Sequence, residues 1–237
     1  MGQFKTNAIV LSRTDYRDND RMLTLFSQDR GLLSAVARRC KQPKSPLLAA
    51  SEVFCSGEYV LYQSREHMSV TSCEVTDSFY PLREDYDRLL MGMQMLELCR
   101  HVVQPEQENA RLFSFLVHSL AHLAYGETPG EDVLGVFFMG ILSLSGFRPQ
   151  VKRCAACRRP LSQAGVTFSV RDGGLHGAEC RQAGDREIGQ EDVLFLQTVM
   201  QEGLEALGKV HISPALLGAL RDMAKDRLEA ELTSARL

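Results

Sequence analysis

The chain has 237 residues, with 27 Lys and Arg against 30 Asp and Glu for a formal charge of −3, and 44% of it is hydrophobic. That length exceeds the roughly 100–150 residues of one common domain, and the composition excludes disordered and fibrous classes. No run approaches the ~18 apolar residues of a membrane span, and the opening MGQFKTNAIVLSR lacks the layout of a signal peptide, so a cytoplasmic protein is expected.

From the first residues to about 79 the pattern is of short β-rich runs: 8–13, 21–27, 32–39, 53–62 and 68–75. Between them stand DYRDND, QDRG, KQPKSP and QSREH, rich in the Asp, Asn, Gly, Pro and Ser that turns require. Five short strands in under eighty residues predict a small closed barrel of the OB-fold type, with an SH3-like barrel giving nearly the same pattern. Positive charge is concentrated here. The window from Arg30 to Lys44 holds Arg30, Arg38, Arg39, Lys41 and Lys44 and no acid, whereas the last segment, 181–237, is net acidic. A polyanion is therefore expected to prefer the barrel, with Arg13, Arg38, Arg39, Lys41 and Lys44 as the candidate nucleic-acid contacts, because a strand end running into a basic loop can track a phosphate backbone. The plainer reading of such a charge run is a solvated loop.

From residue 80 onward the period becomes helical. Helices are predicted over 81–103, about 107–125, 131–146, 191–207 and 213–232, giving an α+β protein with a barrel domain at 1–79 and a helical domain at 80–237. In the first helix Tyr86, Leu89, Leu90, Met93 and Leu96 form the expected buried stripe. The third, apolar almost all round, is expected at the centre of a bundle. Ser213 before Pro214 reads as an N-cap with proline at the first helical position.

A cysteine hairpin is inserted at 151–182. Cys154 and Cys157 form a C-x-x-C knuckle, Cys180 follows after 22 residues, and TFSVRDGGLHG between them reads as a β-hairpin with an Asp-Gly-Gly turn. A zinc ribbon requires a second knuckle, but Gly177 stands where its first cysteine is expected. His176 is the nearest replacement ligand, so Cys154, Cys157, His176 and Cys180 are the candidate metal set. A metal-free relic ribbon and a redox C-x-x-C are the alternatives. The remaining cysteines, Cys40, Cys55, Cys73 and Cys99, lack a pattern and read as reduced structural thiols. The chain has no GxxxxGK[ST], GxGxxG, HExxH or GxSxG motif, so no nucleotide cofactor and no enzyme of those types is expected.

The stretches VLSRTDYRDNDRMLTLFSQDRGLLSAVARR, KQPKSPLLAASEVF, SFYPLREDYDRL, ILSLSGFRPQVKRCAAC and FSVRDGGLHGAEC resemble the bacterial recombination mediator RecO family, and the likeness covers nearly the whole chain. Two positions depart from the family pattern: Cys40, where a small residue is common, and Gly177, in place of a cysteine. The resemblance implies a DNA repair protein with an OB-fold and no active site. It implies binding to single- and double-stranded DNA, annealing of complementary strands coated by single-stranded-DNA-binding protein, and help to RecR in loading RecA. It also implies contact with the acidic C-terminal tail of single-stranded-DNA-binding protein and a nucleoid location in the cytoplasm. A protein-interaction adaptor with an incidental basic loop is the alternative function.

Overall fold

The computed structural model describes residues 2–65, 67–161 and 165–234, with side chains described up to 228. The chain divides into two compact units, Met1–Leu120 and Ala121–Leu237.

The first unit is built on five strands: β1 (Gly2–Tyr16), β2 (Asp20–Ser27), β3 (Gly31–Ala37), β4 (Ser56–Gln63) and β5 (Met68–Asp77). They close into a barrel in the order β1-β2-β3-β5-β4. β1 serves two partners: Gly2 to Ile9 pair with β4, and Ala8 to Tyr16 pair with β2, with the register shifting between Val10 and Ser12. A shift of this kind bends a strand enough to turn it from one neighbour to the other. β3 and β5 run parallel and meet through the pair Val36 and Ser69.

Alternation decides which side chains fill the barrel. Leu23, Leu25, Ala35, Ala37, Tyr59, Leu61 and Val70 point inward, joined by Cys40, Leu47, Ala50 and Cys55 from the connection between β3 and β4. The buried Tyr59 hydroxyl donates to the Ala50 carbonyl at 2.7 Å, so its polar end is satisfied inside the core.

A short 3₁₀ turn, Tyr80–Arg83, leads into α1 (Tyr86–Val102), whose N-terminus is capped by Asp85 accepting from the amides of Asp87 and Arg88. The expected stripe is corrected here. Tyr86, Leu90 and Met93 are exposed, and the buried residues are Gly92, Met95, Leu96, Leu98 and Cys99. The physical reason is Gly92: a Cβ there would lie 3.0 Å from the Phe54 ring, so the missing side chain is what lets the helix settle on that ring. The segment after α1 returns to the barrel. Leu32 donates its amide to the Gln104 carbonyl at 3.2 Å, and Gly31, at φ +65°, has that carbonyl 2.0 Å from where a Cβ would stand. Glycine is the one residue that meets both conditions.

α2 (Ala110–Tyr125) spans the division between the units. In the second unit α3 (Gly130–Leu144) is buried on nearly every side, as its apolar run predicts, and packs on α4 (Gln190–Glu202) and α5 (Pro214–Ser234). Two buried carboxylates fix these helices. Asp132 accepts from the Ile212 amide at 2.8 Å and His211 Nδ1 at 2.7 Å; Asp192 accepts from the Ser213 amide at 2.9 Å and hydroxyl at 2.7 Å. Ser213 in turn caps α5, its Oγ accepting from the Leu216 amide at 3.2 Å.

The cysteine segment forms a small sheet of β6 (Thr167–Ser169), β7 (Gly174–His176) and β8 (Arg186–Glu187) in the order β7-β6-β8. The Asp172-Gly173 turn is present, with Gly173 at φ +68°.

Candidate nucleic-acid interface and metal centre

The outward residues of the barrel follow from the same alternation that fills its core. Tyr62 pairs with Ser69, Ser69 with Val36, and Val36 with Met22, so these four stand in one row across β4, β5, β3 and β2. Over this row lies a groove of about 290 Å³ whose lining includes Tyr16, Arg17, Met22, Arg38, Tyr62 and His67. Arg17 is in the turn between β1 and β2, and His67 in the turn between β4 and β5. In OB-folds the face of the second and third strands, together with these two turns, is where oligonucleotides bind.

Tyr16 and Tyr62 are 39% and 45% exposed, large aromatic surfaces in water beside cationic groups. The Arg17 guanidinium lies 5.2 Å from the centre of the Tyr16 ring. Aromatic faces of this kind accept stacked bases irrespective of sequence.

The five basic residues read from the sequence separate into two groups. Arg38, Arg39 and Lys44 are exposed and, among the described residues, make no ion pair. Lys41 instead pairs with Asp15 at 2.9 Å, and Arg13 with Glu52 at 3.1 Å. The Lys41 ammonium, by hydrogen bond and by charge, holds the Asp15 carboxyl below its usual value. Arg39 has φ +53°, and its amide donates at 2.8 Å to Oδ1 of Asp20, the carboxylate among the groove's lining residues. Tyr16, Arg17, Tyr62 and His67 escape a reading based on charge runs; the signal for Tyr62 is strand alternation, which puts it outside because Leu61 is inside, and that for Arg17 and His67 is their place in the turns that flank the same face.

In the second unit the sulfurs of Cys154, Cys157 and Cys180 all lie within 4.8 Å of one another. Thiolates on a tetrahedral zinc at Zn–S ≈ 2.3 Å stand about 3.8 Å apart, so the three fit such an ion. Backbone geometry gathers them: the Arg158 amide donates to the Cys154 carbonyl at 2.9 Å, and the Cys180 amide to the Gly177 carbonyl at 2.9 Å. Burial pushes the Cys154 thiol up, but hydrogen bonds from the amides of Cys157, Gly177 and Ala156 outweigh it and hold it down at about 6. Cys180 is pushed up to about 11 by its hydrogen bonds with Cys157 and Cys154. Repulsion between close thiolates opposes ionising all three sulfurs until a cation neutralises them.

His176, expected as the fourth ligand, is not with them: the structure brings together the three cysteines without it. The His176 side chain is fully buried, with Nδ1 on Asp185 Oδ2 at 2.8 Å and Nε2 facing Asp172 Oδ2 at 3.0 Å, off the hydrogen-bond axis. Asp185 also accepts from the Gln182 amide at 2.9 Å and the Thr167 hydroxyl at 3.2 Å. Both ring nitrogens are thereby turned to carboxylates.

Fold and sites together define a two-part α+β protein, an OB-like barrel with a cationic, aromatic groove followed by a helical region bearing a three-cysteine ribbon. Family models agree across the chain: "Recombination protein O N terminal" matches residues 1–79 and "Recombination protein O C terminal" residues 83–237. The chain belongs to the recombination protein O family, whose role is DNA repair. Similar curated proteins include the DNA repair protein RecO of Moorella thermoacetica, 30% identical over 96% of this chain and 86% of that one. Those of Caldicellulosiruptor saccharolyticus, 29% identical over 92% and 89%, and Acetivibrio thermocellus, 28% identical over 98% and 95%, carry the same name. The two family models meet near residue 80, whereas the compact units divide within α2, because α1 and the segment after it pack on the barrel. No helix among the described residues is long and apolar enough to cross a membrane.

Proposed function

We propose that this protein is a non-catalytic recombination mediator that binds single- and double-stranded DNA on the outer face of its barrel and anneals complementary strands. The observation that carries the reading is the groove over the Tyr62–Ser69–Val36–Met22 row, which sets exposed tyrosines beside unpaired arginines on an OB-like sheet. Arg38, Arg39 and Lys44 would hold phosphates, Tyr16 and Tyr62 would stack unpaired bases, and Arg13 and Lys41 would join after leaving their carboxylate partners. Binding of this type is indifferent to sequence and weakened by salt. Family membership supports the rest: assistance to RecR in loading RecA, contact with the C-terminal tail of single-stranded-DNA-binding protein, and a cytoplasmic, nucleoid-associated location. Without a phosphate-binding loop, annealing proceeds without ATP. For the ribbon we propose one structural zinc ion, held by Cys154, Cys157 and Cys180, whose charge neutralises the thiolates and staples the two knuckles together.

A second reading, a protein-interaction adaptor, is favoured by Tyr86, Leu90 and Met93, which leave one face of α1 apolar and exposed. A mobility-shift titration of the purified chain with a single-stranded oligonucleotide over a salt series separates the two. Binding whose logarithm falls linearly with log salt supports the mediator; no binding at low salt leaves the adaptor.

A further inference from the structure

The cysteine cluster is one donor short of a closed zinc set, and the structure identifies the missing corner. Ala178–Cys180 form a single 3₁₀ turn closed by the Cys180 amide on the Gly177 carbonyl at 2.9 Å. This is the short reversal through which a second C-x-x-C knuckle presents two thiolates, and Gly177 occupies its first position. Gly177 supplies the carbonyl that closes this turn, so the residue stands at the edge of the cluster, three positions before Cys180. A Cβ at Gly177 would meet nothing closer than Leu161 Cδ2 at 4.0 Å, and its φ of −76° with ψ of 162° is extended backbone that any residue adopts. Neither the turn nor crowding requires glycine here.

The neighbouring donors are committed elsewhere. His176 is fully buried between Asp185 and Asp172, and Asp185 is further held by Gln182 and Thr167. Glu179 is 87% exposed and pairs with Arg159 at 3.3 Å. Among the described residues no fourth His, Cys, Asp or Glu joins the three sulfurs. Cys157 is exposed and Cys180 half-buried, so the cluster is reached from solvent.

We infer that the ribbon is a three-thiolate metal site whose fourth coordination position, beside Gly177, is open and is filled by an exchangeable ligand from solution. This rests on the metal reading above. A tetrahedral cation with three protein ligands keeps water in its fourth position and exchanges it for another donor, which a closed four-ligand structural site does not do. The ligands it would take are small nitrogen or sulfur donors, imidazole and thiolate being the natural classes for zinc and cobalt.

The test is reconstitution of the full chain with cobalt(II), whose visible absorption reports both coordination geometry and the number of thiolates. With the wild-type chain, added imidazole should shift the cobalt bands saturably, because it enters the fourth position. In Gly177→Cys the thiolate-to-cobalt band should strengthen and the imidazole response should vanish. That variant should also hold the metal at least about tenfold more tightly against a chelator, since even indirect support of a ligand is worth 10- to 100-fold. His176→Gln should leave the wild-type spectrum and its imidazole response in place. Wild-type bands indifferent to imidazole, or a spectrum changed by a His176→Gln variant whose circular dichroism matches that of the wild type, would overturn the open position while keeping the metal. Failure of both wild type and Gly177→Cys to bind cobalt or zinc would remove the metal reading itself. The imidazole titration of the wild-type chain decides the matter even where Gly177→Cys does not fold.

Discussion

Along the strands of the barrel, core residues and groove residues alternate: Leu61 and Val70 point in, Tyr62 and Ser69 point out. In the cysteine ribbon no such division exists. All three residues of β6 and all three of β7 are buried, and the strands are too short to enclose a core of their own. Phe168 and Leu175 supply its apolar contacts, while the thiol cluster and the His176 carboxylate pair supply its polar ones. Changing a groove residue is therefore expected to touch binding and leave the fold, whereas changing a buried ribbon residue is expected to touch the fold. Substitutions in each region test that difference.

The largest effect is expected from Arg38→Ala, Arg39→Ala and Lys44→Ala together. Three lost phosphate contacts should flatten the slope of log affinity against log salt by about 2, which near 0.1 M salt is roughly a 100-fold loss on single strands. The thermal midpoint should move little, and an unchanged slope would break the assignment.

Next comes the ribbon. Burial pushes the Asp185 carboxyl up, but hydrogen bonds from the Gln182 amide and then from His176 help hold it below its ordinary 3.8. Because its folded value is the lower one, its contribution is complete above about pH 4 and is lost as pH falls through the folded value. Asp185→Asn should cost about 2 kcal/mol at neutral pH, the usual worth of a hydrogen bond to a charged group. Denaturant titrations from pH 7 downward should show the gap between wild type and variant narrowing once the pH falls below about 4; a gap that stays constant throughout would show that the charge is not what matters.

Tyr16→Leu and Tyr62→Leu should each weaken single-strand binding by about tenfold, from the ~1–3 kcal/mol of a stacked base, and should affect duplex binding far less. Equal losses on both would argue against stacking. The smallest change is expected for Lys41→Ala, below the ~0.7 slope units of a free cation on single strands, because Lys41 must first leave Asp15. A full-size drop would mean that the pair is already broken when DNA binds.

How much of this was legible in the sequence depended on whether the deciding partner was local. Strand alternation and turn residues act within a few positions, so the five strands and the β6–β7 hairpin could be read directly. The buried face of α1 could not. Gly92 contributes nothing to an apolar pattern, yet it marks where Phe54, thirty-eight positions earlier, packs against the helix. The charge run Arg38 to Lys44 was visible, but the neutralisation of Lys41 by Asp15 depends on a contact across 26 positions. His176 looked like a ligand because it stands near Cys180; Asp172 and Asp185, which claim its ring, become neighbours only once both turns have formed.

The two-partner strand β1 also bears on how quickly the barrel can form. Its outer half pairs with β2 through a three-residue turn, a local event of the microsecond kind, as is the β2–β3 hairpin that follows. Its inner half waits for β4: Gly2 meets Gln63, sixty-one positions away. Closing so long a loop is the step at which chain entropy opposes folding most, so the β1–β4 ladder should set the rate of barrel closure. During synthesis, a nascent chain that has not yet released Gln63 can hold the β1–β2–β3 meander but not a closed barrel, and residues 2 to 7 then present an unpaired strand edge to their surroundings.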